Sequence, residues 1–99
     1  MPLIASLEGR LLAIECTRQV RIHENLIRLS RVTFLVSFGV HLKMGTMMLW
    51  QEELNNLSHL RFGQSYSFIA GLEMEGDIFV LYFLPKLTKF ENSLRVKKC

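Results

Sequence analysis

Along most of this chain apolar residues recur at every second position, and in one short stretch at every third. Alternation puts successive side chains on opposite faces of a strand, whereas spacing of three or four gathers them on one face of a helix. Val32, Phe34, Val36 and Phe38 alternate with Arg31, Thr33, Leu35 and Ser37, which predicts a strand over Arg31–Gly39; Leu42–Trp50 returns as the next. Ahead of them a long first strand is expected from about Leu3 to Thr17. It would carry Leu7, Leu11 and Ala13 on one face and Glu8, Leu12 and Ile14 on the other, with Gly9 at the bend or bulge of a curled strand. Residues 18–30 give the weakest pattern: Gln19–His23 continues the strand, and Glu24-Asn25 has turn chemistry.

The period changes at Trp50. Leu54, Leu57 and Leu60, reinforced by Trp50, predict a one-sided helix over Gln51–Leu60, with Gly63 as its stop. A fourth strand follows over Gln64–Glu73, a turn at Gly76-Asp77, and a fifth strand over Ile78–Leu84 that Pro85 ends. In the tail, Leu87, Phe90 and Leu94 fall at i, i+3 and i+7, the stripe of a short helix. Three alternatives stand for it: a helix that meets a partner, a helix that folds back to plug its own barrel, or an added strand using Leu94 and Val96.

Three strands, a lone helix and two more strands are the order of the OB-fold, a partly open five-stranded barrel. The expectation is therefore all-β: a five-stranded antiparallel barrel with one helix, in a single domain over 1–99. The barrel would occupy about 3–85 and the tail 86–99. Within it, Leu49-Trp50, Glu53-Leu54, Leu57, Leu60 and Gly63-Gln64-Ser65-Tyr66 resemble the single-strand-binding modules of the replication protein A family. In those modules a Leu-Trp pair closes the third strand, and a Gly and an aromatic-bearing strand follow the helix. The zinc-binding cysteines of some large-subunit modules have no counterpart here, and Phe38-Gly39-Val40-His41-Leu42 replaces the usual Asp and Gly of the turn between strands two and three.

Composition narrows the function classes. The 99 residues suffice for one core, and the apolar content argues against disorder. No apolar run reaches the roughly 18 residues of a membrane span, and Met1-Pro2-Leu3-Ile4 lacks the basic start of a secretory signal. An intracellular protein with no membrane partner is expected, and the family resemblance implies a nuclear one. Cys16 and Cys99 have no metal-ligand spacing, and Glu73, Glu75 and Asp77 lack the ligand pattern of a calcium loop. His23, His41 and His59 have no partner motif, and no phosphate-cradling Gly-rich loop is present. Neither an enzyme nor a cofactor is expected.

The net charge of +3 is unevenly spread. Arg18, Arg21, Arg28 and Arg31 cluster between strands one and two, Lys43 opens strand three, and Lys86, Lys89, Arg95, Lys97 and Lys98 crowd the tail. OB-folds bind single strands in a basic groove with aromatic platforms, formed by strands two and three with the loops joining strands one to two and four to five. Phe34, Phe38 and Phe68 are expected in the core, and Trp50 between helix and barrel. Tyr66 and Tyr82 are the expected stacking residues, because a phenol tolerates water and still offers a ring face. The candidate nucleic-acid site is thus Arg18, Arg21, Arg28, Arg31, Lys43, Tyr66 and Tyr82.

The resemblance implies a single-stranded DNA-binding subunit, or an RNA-binding one, in replication, repair or telomere maintenance. Small OB subunits of replication protein A and of telomere-capping complexes join a larger subunit through a C-terminal helix, and this chain is similar in size and layout. Leu87, Phe90 and Leu94 would then meet a larger OB subunit or a second copy. The alternative is an OB adaptor that binds protein and has little nucleic-acid affinity of its own.

Overall fold

Twelve residues of alternating burial, Leu3–Ile14, form strand β1 at the start of the computed structural model, in which residues 2–93 are described. Then come β2 (Arg18–Ile22), β3 (Asn25–Phe38), β4 (His41–Trp50), a 3-10 helix (Gln51–His59), β5 (Ser65–Glu75), β6 (Ile78–Tyr82) and β7 (Glu91–Asn92). Strands β1, β3, β4, β6 and β5 pair in that order, and β5 returns to β1 to close a five-stranded barrel. With the helix between β4 and β5, this is the OB arrangement.

The expected all-antiparallel pairing is corrected where β6 joins β4. β4 and β6 run parallel from Gly45 opposite Phe79 to Met47 opposite Leu81. The helix and β5 carry the chain back across the barrel first, so β6 reaches β4 in the same direction. Gly45 belongs to this junction for a steric reason: a Cβ there would lie 2.7 Å from Val36 Cγ2.

Inward positions follow the expected parity on β3, where Val32, Phe34 and Val36 are buried, and on β5 and β6, where Phe68, Ala70, Phe79 and Leu81 are. On β1 the parity breaks. Leu11 faces Phe34 and Ala13 faces Thr33, so Leu12 is the extra residue of a bulge. Beyond it Ile14 packs on the core and Ala13 is exposed, the reverse of the expected order.

Residues 18–30 build an arm. β2 pairs with the first half of β3 alone, Arg18 opposite Leu29 through Ile22 opposite Asn25. His23 and Glu24 connect them with φ of 50° and 67°. Two consecutive left-handed residues are the geometry of a two-residue hairpin turn, one position earlier than the expected Glu24-Asn25. The arm's base is fastened: Glu15 N–H donates to Arg31 O at 2.9 Å, and the buried Ser30 hydroxyl donates to Glu15 O at 2.7 Å.

The helix stands where it was expected, as a 3-10 rather than an α-helix. Its leucines explain this. Positions 54, 57 and 60 are spaced by three, and a helix of three residues per turn eclipses i and i+3. Leu54 and Leu60 are buried and Leu57 packs against the core.

Over residues 86–93 the tail is no helix, which corrects the expected stripe. It makes one turn at Leu84–Thr88 and then adds β7 beside Tyr66 and Ser67 of β5. The buried Thr88 hydroxyl donates to Ile69 O and accepts from Leu84 N–H. Phe90 packs into the barrel against Phe34, Phe68 and Tyr66 at ring distances of 5.8, 5.0 and 6.5 Å. Leu87 is 48 % exposed, so it shares no surface with Phe90, and Leu94 lies outside the described residues. The inward Phe90 is the plug of its own barrel. Phe90→Ala is expected to cost about 3 kcal/mol, and Leu87→Ala less than about 0.5 kcal/mol, in urea unfolding; equal costs would refute this placement.

Candidate nucleic-acid interface

With Val32, Phe34 and Val36 committed to the core, the intervening residues of β3 point outward, and register extends that outer face across four strands. Thr33 stands opposite Thr46, Thr46 opposite Val80, and Val80 opposite Glu73. On one side of this row Arg31 faces Met48 and Tyr82 faces Gly71; on the other, Leu35 faces Met44 and Ile78 faces Glu75. Leu29 faces both Trp50 and Arg18, carrying the face onto the base of the arm.

These outer residues enclose an open groove of about 520 Å³. Met48, Thr46, Ile78 and Val80 floor it, and Trp50 and Tyr82 stand in it 38 % and 39 % exposed. Arg31 lines the β3 side, 3.6 Å from Glu15 through Nη1. Glu75 lines the β5–β6 side, opposite Ile78, and Glu53 stands at the end of β4 beside Trp50. The groove is apolar and aromatic along its floor, with Arg31 on the β3 side and Glu75 on the β5–β6 side.

Carboxylates hold the backbone of Trp50 and the hydroxyl of Tyr82. The Trp50 backbone N–H donates to Glu53 Oε1 at 3.0 Å, which fixes the strand-to-helix junction. The Tyr82 hydroxyl donates to Glu73 Oε1 at 2.7 Å. That bond, then burial and the nearby charges of Glu73 and Glu75, push the Tyr82 phenol above its ordinary value. Gly71 stands opposite Tyr82, and a Cβ there would lie 3.1 Å from the Tyr82 Cβ.

The seven expected site residues separate. Arg31 and Tyr82 line the groove, and Arg18 sits in the row that contains Trp50. Arg28 faces Gln19, and Arg21 faces Leu26, on the reverse side of the arm from Arg18. Lys43 stands opposite Val36, in the inward-facing set of β4, so it does not extend the groove. Tyr66 is 3 % exposed. Its hydroxyl accepts from Arg61 N–H at 2.7 Å and donates to His59 O at 3.3 Å. A ring enclosed in this way offers no face to a base, so the stacking role expected of Tyr66 is corrected to a tie between helix and barrel.

Trp50 was expected between helix and barrel and instead lines the groove. The signal was present in the alternation: Met47 and Leu49 point inward, so Trp50 must point outward. Comparison of the chain with protein-family models, with curated proteins and with solved structures gives no match.

The Tyr82–Glu73 bond makes a direct prediction. Glu73→Gln removes the charge that opposes ionisation, so the Tyr82 phenol should titrate at lower pH than in the native chain. Tyr82 ring shifts followed by NMR would show it, and an unchanged titration would refute the pairing.

Proposed function

We propose that this chain binds single-stranded nucleic acid, in the first place DNA, across the outer face of β3, β4 and β6. The observation that carries the reading is the pair of half-exposed rings, Trp50 and Tyr82, in a groove with Arg31 on its β3 side. Bases stack on aromatic platforms for roughly 1–3 kcal/mol each, without sequence preference. Phosphates need cations, and Glu73 and Glu75 on the β5–β6 side repel them. The strand therefore lies with its backbone toward Arg31 and Arg18 and its bases toward β6. In this role the chain would serve as a small subunit in replication, repair or telomere maintenance, as its resemblance to the replication protein A family implies.

A second reading, an adaptor that docks protein on the same face, draws on one observation. The apolar surface runs past the groove to Met44 and Leu42, both exposed. Methionine side chains adapt to varied apolar partners. An adaptor would associate with protein without responding to oligonucleotide.

Fluorescence separates the two readings, because Trp50 is the chain's one tryptophan. Titration with oligothymidylate is expected to quench it, with a binding constant that falls as salt rises. Trp50→Ala should weaken binding about 5- to 150-fold, the equivalent of one stacked base. Binding that leaves Trp50 emission unchanged, or no binding at low salt, would overturn the proposal.

A further inference from the structure

The arm is two-faced, and its charges do not lie where the groove can use them. Beyond Arg18, the side continuous with the groove carries Val20, Ile22, Ile27 and Asn25, with no further cation. The reverse side carries Gln19, Arg21, Leu26 and Arg28, all exposed. Among the described residues Arg21 and Arg28 have no ion-pair partner. They are diagonal neighbours across β2 and β3, since Arg21 faces Leu26 and Arg28 faces Gln19.

The arm is also held in place. Ser30 and Glu15 fasten its base to the barrel, and the Arg28 backbone N–H donates to Gln51 Oε1 at 3.3 Å. Its tip turns on His23 and Glu24, two non-glycine residues in left-handed conformations, which such side chains adopt at a cost. Two unneutralised cations on an anchored hairpin are a surface preorganised for an anion.

We infer that the reverse face of the arm is a second contact for nucleic-acid phosphates, reached by a strand that leaves the groove past Arg18 and crosses the free edge of β2. This rests on the single-strand reading of the groove. Charge complementarity selects the occupant: the groove offers Arg31, the row beside it offers Arg18, and the next cations along the arm are Arg21 and Arg28. Arg21 stands about 10 Å out from Arg18 at the rise of an extended strand, so a ligand confined to the groove stops short of it. The two faces together make affinity depend on strand length.

The test compares oligothymidylates of about 6 and about 20 nucleotides, one near the short end of the roughly 4–16 nucleotides that an OB-fold occupies and one beyond it, on the full chain. Arg21→Gln/Arg28→Gln should weaken binding of the long strand and lower its log–log salt slope by about 1.4, two phosphates at about 0.7 each. Binding of the short strand should not change. The paired control, Arg18→Gln/Arg31→Gln, should weaken both. An equal loss for both lengths in the first variant would place Arg21 and Arg28 in the groove site and overturn the inference. No loss for either length would show that the reverse face holds no phosphate. If the native chain binds neither strand, the single-strand reading itself fails, and the second contact with it. All four arginines are exposed, so an unchanged urea midpoint verifies that each variant remains folded.

Discussion

Phe34 has no exposed surface, and the barrel is arranged around it. Phe68 tilts against its ring at 5.1 Å and Phe90 stacks on it at 5.8 Å. Gly9 of β1 lies alongside, where even a Cβ would approach the Phe34 Cβ to 3.1 Å. A ring this enclosed fixes the parity of β3, since a slip by one residue would turn every side chain of the strand to the other face. Arg31 and Thr33 are outward because Phe34 is inward. The groove is thus a consequence of core packing.

The same parity explains why the arginines divide. β3 runs without interruption from the barrel into the arm, so its alternation carries through Leu29, Ile27 and Asn25 on the groove side and Arg28 and Leu26 on the reverse. Pairing transmits the division to β2, where Arg18 joins the first set and Arg21 the second. Four arginines that are neighbours in the chain become two pairs with different surroundings. Their charge alone gives no hint of this; their registers decide it.

The tail shows how equal spacing can mislead. Leu87, Phe90 and Leu94 fit a helical stripe, but the buried Thr88 ties the chain to Ile69 and to Leu84, and this directs Phe90 toward Phe34. An open barrel end lined by Phe34, Phe68 and Tyr66 offers an aromatic ring more contact than a short helix in water would retain, because short helices are marginal without tertiary support. Phe90 thus packs against the core, while Leu42 and Met44 stand exposed on the outer face of β4.

Period determined most of the architecture. The alternation of Val32 to Phe38, the threefold spacing of Leu54, Leu57 and Leu60, and the breaks at Gly39, Gly63 and Gly76 were enough to read the strand order, the lone helix and the barrel from the sequence. Tyr82 was legible as a groove residue too, because it alternates with Phe79 and Phe83. Three things were decided only in the folded chain. The bulge at Leu12 reversed the faces of β1, because an extra residue shows itself only against a partner strand. Tyr66 went inside because its hydroxyl found Arg61 and His59 at the helix end, partners several residues away that no periodicity displays. The site itself, with Trp50 and Arg31 on one face and Lys43 on another, came from cross-strand registers. A sequence records which side chains share a face of one strand; which strands stand side by side, and so which faces combine, is settled by closing the barrel around its core.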